Sequence, residues 1–440
     1  MKITRTLIFS VVFLIAGGLL LIAALERSHE IVPYRITSVP EQVAPSVAFD
    51  TFGVTTSTLR FPNENESLSF NLVIPTVSYS LVIAVLFLGV GAYGLAPIKS
   101  ERVERTKTSG LVLGGILIIP TVLILAASGQ STNMISMLGA SFRLGTPIII
   151  GAMAGIWCER SGVVNIAIEG MMLTGAAFGF VAYTFVTAAV PGQGGLWIGI
   201  LAAIASGGLM ALLHAWLSIT FKTDQIISGT VINIMALGLT AFMRREVILN
   251  ADASFETLSE FSIPVLSKIP VLGEVLFTGK PIFFSMFLLV ILTHVVLYYT
   301  RWGLRTRAVG ENPHAADTLG INVQMNRYIN VVVGGLIAGL AGAWFSLETA
   351  GGFRDGMTSG TGFIALAAMI FGKWTPFGAA VGGLLFGFSQ ALDTRFQLLN
   401  VPIPVQFVQM TPYLVTMIVL AGLVGRAVSP KAAGEPYEKE

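Results

Sequence analysis

The sequence predicts an all-α membrane protein, a polytopic helical bundle of about twelve membrane segments with both termini on the cytoplasmic side. Three observations predict it. Of the 440 residues, 54% are hydrophobic and only 11% charged, against about 25% charged in soluble domains, and mean hydropathy is +0.79. Apolar runs recur at bilayer length, and Lys and Arg gather between alternate runs. The formal net charge of +2 is too small to suggest a nucleic-acid partner, and the single cysteine, Cys158, excludes an intrachain disulfide or a Cys-rich metal site.

Taken in order, the first run, 7–25, follows Lys2 and Arg5. It is longer than a usual signal-peptide core and lacks a small-x-small cleavage site in "LERSHE", so it reads as an uncleaved first transmembrane helix. Further runs able to cross roughly 30 Å of hydrocarbon fall at 73–96, 110–128, 134–156, 164–190, 196–221, 225–243, 281–300, 328–348 and 405–425. Two shorter apolar pieces, 359–372 and 377–393, flank "KWTP".

The basic residues orient these segments. With the N-terminus inside, Lys99, Arg102, Arg105 and Lys107 are inside, as are Arg301, Arg305, Arg307, Arg426 and Lys431. The loop 244–280, outside in this scheme, argues back with Arg244, Arg245, Lys268 and Lys280, although it is long and also acidic. The domain plan that follows is an N-terminal extension, 1–130, with three spans and an extracytoplasmic loop at 26–72. A core, 131–428, then carries the extracytoplasmic loop 244–280 and a cytoplasmic loop at 301–326, and 429–440 forms a cytoplasmic tail. Asn65 sits in a glycosylation triplet that matters only in a eukaryotic secretory setting. Phrases such as "GAMAG", "GAAFG" and "GLIAG" repeat the small-xxx-small spacing of closely packed membrane helices.

Two stretches carry unusual polar content. "NPHAADTLG" reads as a complete short helix, with Asn312 as N-cap, Pro313 at the first helical position, His314 and Asp317 on the polar side, and Gly320 at the left-handed C′ position. So short a helix must dock, either on its own bundle or, steered by the preceding arginines, on a partner. "ERSGVVNIAIEG" places Glu159, Arg160 and Ser161 at the cytoplasmic end of one span and Asn165 and Glu169 at i, i+4 in the next, with Gly162 and Gly170 as break points. A carboxylate at membrane depth costs roughly 3 kcal/mol or more, so Glu169 must face the bundle interior or an aqueous cavity. It then either staples a broken helix or lines a translocation path. Gln225, Ser228 and Asn233 are further pathway candidates, and Phe363 after "TSGTG" is placed to stack on a base or sugar face or to serve as a core aromatic. Glu348, Arg354 and Asp355 fall at the outer edge of a span, as solvated charges or as a docking point for a binding protein.

"GIWCERSGVVNIAIEGMMLTGAAFG", "TDQIISGTVINIMALGLTAF", "GLRTRAVGENPHAADTLGINV" and "GTGFIALAAMIFGKWTPFGAAVGGLLFG" together resemble the permease subunit of bacterial ABC importers. The resemblance is to the family serving branched-chain amino acids, ribose-type sugars and nucleosides, most nearly its simple-sugar and nucleoside branch, and it covers roughly residues 130–428. It implies a multi-pass subunit of the bacterial cytoplasmic membrane that moves a small polar solute, a nucleoside first and a simple sugar second. It also implies a second permease, as heterodimer or homodimer, an ATPase subunit, and an extracytoplasmic substrate-binding protein. By the same resemblance the loop holding Arg305, Arg307, Gly310, Glu311, Asn312, Pro313, Ala316, Asp317 and Gly320 contacts the ATPase. ATP and magnesium would bind that separate subunit, since "GEVLFTGKP" at 273–281 lacks the spacing and the Ser or Thr of a phosphate loop. No cofactor, metal or catalytic residue is expected here.

A secondary transporter is the rival reading, but apart from Glu169 the apolar cores hold few ionisable residues, with His214 and His294 inside spans and Asp224 and Asp393 at edges. An intramembrane serine enzyme would need a His after Ser389, and all four histidines precede it.

Overall fold

The computed structural model describes residues 5–27, 56–61, 70–96, 100–129, 131–250, 256–399, 410 and 428–439. They divide into two compact units, 1–137 with 392–425, and 138–391 with 426–440.

The first unit holds α1 (Arg5–Arg27), β1 (Thr56–Phe61), β2 (Phe70–Pro75), α2 (Thr76–Leu95), α3 (Glu101–Ala126) and β3 (Ser131–Asn133). Phe9, Phe13, Ile83, Phe87 and Leu111 form its apolar core, with the Phe13 and Phe87 rings edge to face at 5.1 Å. The expected loop 26–72 is in part a sheet. β1 pairs antiparallel with β2, Leu59 opposite Leu72, and parallel with β3, Leu59 opposite Thr132. The alternation that makes a strand is present in "TSTLRF", where Ser57 and Leu59 point inward. The all-α expectation is therefore correct for the bulk of the chain and incomplete at this sheet.

The second unit runs from α4 (Met134–Arg160) through α5 (Ile168–Val186), α6 (Gln193–Ala215, continued by a π-helical stretch Trp216–Thr220) and α7 (Gln225–Glu246). A small cap follows, with β4 (Phe261–Ser262), α8 (Leu272–Leu276) and β5 (Thr278–Gly279), β4 and β5 being antiparallel. Then come α9 (Pro281–Tyr299), α10 (Arg301–Glu311), α11 (Pro313–Thr318), α12 (Val323–Ala343, continued by the π-helical Trp344–Ala350), α13 (Thr361–Phe371) and α14 (Pro376–Leu398).

Seven helices among the described residues are long and apolar enough to cross a membrane: α2, α4, α5, α6, α7, α9 and α12 with their extensions. The chain is thus a polytopic helical membrane protein. Each expected segment up to 377–393 has a helix at its position, and 405–425, residue 410 apart, lies outside the described residues. The 11 residues of α13 rise only about 16 Å, roughly half a bilayer core.

α5 is the centre of this unit: 72% of its apolar window is buried, against 33% for α7 and α9. It packs between α6 and α12 through small residues. A Cβ at Gly175 would lie 2.6 Å from the Gly339 carbonyl oxygen, and one at Gly199 would lie 2.8 Å from that of Gly179. Such contacts bring backbones close enough for van der Waals packing to hold helices together where lipid is as apolar as leucine.

Candidate functional site

The turn that closes α4 uses all its charges internally. Trp374 Nε1 donates to Glu159 Oε2 at 2.6 Å. Arg160 donates from Nε to the Trp374 carbonyl at 3.0 Å and from Nη2 to the Tyr298 hydroxyl at 3.3 Å. These bonds hold "KWTP", where Lys373 and Trp374 both sit in the left-handed region at φ 53°, a conformation that persists only when its surroundings fix it.

Residues 163–165 after that turn are irregular, and α5 begins at Ile168. The expected helical pairing of Asn165 with Glu169 is therefore not formed. Asn165 is fully buried, its Nδ2 reaching Cys158 Sγ at 3.3 Å and Met171 Sδ at 3.5 Å. The irregular backbone finds its partners in side chains instead. Gln225 Oε1 accepts from Val164 N at 2.6 Å, and His214 Nε2 lies 3.1 Å from the Val164 carbonyl. A carbonyl only accepts, so Nε2 carries the proton, and Nδ1, 3.1 Å from Ser228 Oγ, accepts the hydroxyl. Gln225 thus bonds this backbone directly and Ser228 through His214.

Asn233 on α7 makes the next lock. It accepts from Gly170 N at 2.7 Å and donates to the Ile166 carbonyl at 2.9 Å. Gly170 is inside α5 rather than a break point. Its need for glycine is steric, because a Cβ there would lie 2.9 Å from Asn233 Oδ1.

Glu169, in the first turn of α5, reaches the start of α13. Oε1 accepts from Gly360 N at 2.8 Å and from Thr358 Oγ1 at 2.6 Å, and Oε2 accepts from Gly362 N at 2.6 Å. Free amides at a helix N-terminus need acceptors, and an anion there is favoured by the helix dipole. Gly360 is left-handed at φ 80°, and a Cβ at Gly362 would lie 2.6 Å from the Glu169 backbone, so α13 starts hard against α5. The preceding residues 351–360 are non-helical.

Glu169, Asn233 and Phe363 come together on one cavity of about 390 Å³. Its walls are mostly apolar, from Leu173, Ile234, Leu237 and Phe363, with Thr230 and Ser359 as further polar groups. Phe363 is 47% exposed. Irregular backbone at membrane depth is tolerated where it lines such a space.

Glu348 differs from its expectation. It is 3% exposed and caps α9, with Oε2 accepting from Ile282 N at 2.6 Å and Oε1 from Phe283 N at 3.2 Å. It is an internal staple, not an edge charge. Asp355 pairs with Arg244 at 3.2 Å.

The short helix expected at "NPHAADTLG" is α11. Asn312 Oδ1 accepts from Ala315 N at 3.0 Å, and Gly320 is left-handed at φ 79°. Arg307 lies over the Tyr298 ring at 4.9 Å, while Arg305 and Glu311 are exposed. Gly310 is where α10 meets the Arg160 carbonyl, leaving no room for a Cβ. Ala316 is 2% exposed and packs with Val309, Val323 and Tyr437. It faces its own chain, while Ala315, Thr318 and Leu319 are exposed on the outer side. Among the described residues no cluster of His, Cys, Asp or Glu is arranged to hold a metal.

The family described as the permease component of branched-chain amino acid transport systems matches residues 137–427. The chain is 43% identical over 300 residues to the guanosine ABC transporter permease NupQ of Bacillus subtilis, covering 67% of this chain and 93% of the relative. It is 41% identical over 298 residues to the nucleoside ABC transporter permease NupC of Lactococcus lactis, covering 67% and 94%. It is 26% identical over 247 residues to the glucose ABC transporter permease TsgB13 of Haloferax volcanii, covering 54% and 64%. No solved structure matches it.

Proposed function

Because the chain belongs to the branched-chain amino acid transport permease family, and is therefore an integral membrane transport subunit rather than an enzyme, we propose that it carries nucleosides through an ATP-driven importer. The observation that supports this most is the cavity at Glu169. Its volume of about 390 Å³ falls in the roughly 300–1,000 Å³ range of small-molecule sites. Apolar walls with a half-exposed phenyl ring and a few fixed polar groups suit a solute with one flat apolar face and polar edges. A nucleobase stacked on an aromatic ring gains about 1–3 kcal/mol, and the strong identity to guanosine and nucleoside permeases points the same way.

In this reading a separate ATPase binds ATP and magnesium, a second permease completes the pathway as heterodimer or homodimer, and an extracytoplasmic protein delivers the solute. About twelve segments span the membrane with both termini inside. The basic residues argue for that orientation. The packing of 428–439 on α10 and α11, with Ala432 N donating to the Gly310 carbonyl at 2.9 Å, supports the reading of the C-terminal tail as lying on the same side as that basic loop. The path is lined by Glu169, Asn233 and Phe363, with Asn165, Gln225 and Ser228 supporting the backbone beside it.

Uptake of labelled guanosine by cells carrying the complete importer tests the substrate. Unlabelled nucleosides are expected to compete and hexoses or ribose not to. Competition by sugars alone would move the assignment to the sugar branch.

A further inference from the structure

Residues 428–439 lie beyond the family match, which ends at 427, yet they are firmly fastened. Ala432 N donates to the Gly310 carbonyl at 2.9 Å, and Gly434 N to the Gly162 carbonyl at 3.2 Å. Arg327, 2% exposed, donates from Nη1 to the Glu435 carbonyl at 2.9 Å and from Nε to the Ser161 carbonyl at 3.2 Å. A buried guanidinium is costly unless its donors are used, so the tail backbone supplies an acceptor that Arg327 needs. Tyr437 is 6% exposed. It packs on Val309, Ala316 and Val323, with its ring 5.3 Å from that of His314. The outer ion pairs, Lys222 with Glu438 at 2.6 Å and Lys439 with Asp317 at 3.8 Å, are largely open to solvent and contribute little by themselves. The buried ring, the guanidinium and the two backbone bonds are the fastening.

One short segment therefore joins α11, through Tyr437, to the Ser161–Gly162 turn, through Gly434 and Arg327. That turn opens the backbone run whose later residues are held by Gln225, His214 and Asn233 and which ends at Glu169. We propose that residues 428–439 are a positioning strap that passes movement of α11 to the turn at Ser161–Gly162, and so to the wall of the Glu169 cavity. This rests on the reading of α10 and α11 as the ATPase contact. Coupling between two sites has to be shown as a changed linkage between their activities, since adjacency alone does not establish it.

The test uses the complete importer reconstituted in vesicles with the full chain, with Tyr437→Ala, with Tyr437→Phe, and with a chain lacking 428–440. Retention of the ATPase, ATP hydrolysis and solute uptake are measured on each. For Tyr437→Ala and the shortened chain the ATPase is expected to stay bound and to hydrolyse ATP within about twofold of the full chain. Uptake per ATP is expected to fall about tenfold, within the 5- to 150-fold range of site-to-site coupling. Tyr437→Phe, which keeps the buried ring, is expected to restore the ratio. An unchanged ratio in Tyr437→Ala and the shortened chain overturns the strap, and so does loss of the ATPase from them, which would make the tail a docking surface. Leu319→Arg, at a residue 80% exposed on the outer side of α11, separates the two readings. If it still retains the ATPase, the α11 contact itself is wrong. If it loses the ATPase while Tyr437→Ala keeps a normal ratio, only the strap is wrong.

Discussion

Glu169 and Glu348 are the same device used in two places. Each is a carboxylate from one helix that caps the N-terminus of another, Glu169 on α13 and Glu348 on α9. Their surroundings differ. Glu348 is 3% exposed, whereas Glu169 is half-buried and forms part of a cavity wall. The helix capped by Glu348 is a full-length span of 19 residues, while Glu169 caps a half-length helix of 11 that follows an irregular segment. Capping alone therefore marks stability. Under the proposed function, capping of an interrupted helix beside a cavity marks the place where a solute crosses, because there the same bonds hold open a break in the bundle.

The largest effect is expected from destroying the purely structural member of the pair. Glu348→Ala leaves the Ile282 and Phe283 amides without the carboxylate that accepts from them, while the bond from the Lys280 ammonium to the backbone carbonyl of residue 348 is kept. Loss of such charge-assisted bonds at a buried site costs about 3 kcal/mol or more. The amount of folded protein in the membrane and its melting temperature in detergent should both fall, with uptake falling only in proportion. Glu169→Gln should behave in the opposite way. The side-chain amide keeps the shape but presents a donor to a backbone N–H, costing about 1.5–3 kcal/mol locally. Protein quantity should drop modestly, and uptake per molecule should drop at least tenfold. Equal behaviour of the two variants would remove the distinction between them.

Phe363→Ala comes next. The side chain is half-exposed, so quantity should be unchanged, and loss of one base-stacking contact at about 1–3 kcal/mol should raise the concentration for half-maximal nucleoside uptake about tenfold.

The smallest effect lies at the tail. The Lys222 ammonium bonded to Glu438 holds that carboxyl below its usual range. A depressed carboxyl contributes above its unfolded pKa and loses that contribution as pH falls through the folded one. Carboxypeptidase trimming of the tail should thus be indifferent to pH above the ordinary carboxyl value of 4.5 and quicken slightly only in more acidic buffer, and Glu438→Gln should abolish that pH dependence.

The parts of this molecule that were legible in its sequence are those governed by near neighbours. Asn312, Pro313 and Gly320 spell a capped helix within nine residues, and α11 is that helix. The demand that Glu169 find partners was also legible, since a membrane carboxylate without them is too costly. Its actual partners were not, because Gly362 lies 193 residues away and only the fold brings it there. Separation along the chain likewise hid Glu348 as a cap of α9, 66 residues from Ile282, and the docking of Tyr437 on Ala316. The stretch around Asn165 departs from its local pattern because of distant side chains. Periodicity extended the helix through 164–167, while the side chains of Gln225, His214 and Asn233 offered that backbone a non-helical alternative.

Thiol accessibility tests whether solute passes through the cavity bounded by Glu169 and Phe363. Cys158 is the chain's single cysteine and is buried, so Thr230→Cys, at an exposed cavity position, would be the reactive site. Its labelling by a small methanethiosulfonate in the assembled importer is expected to block uptake and to slow several-fold when nucleoside is present in excess. Complete labelling with uptake intact, at a rate indifferent to nucleoside, would contradict that route.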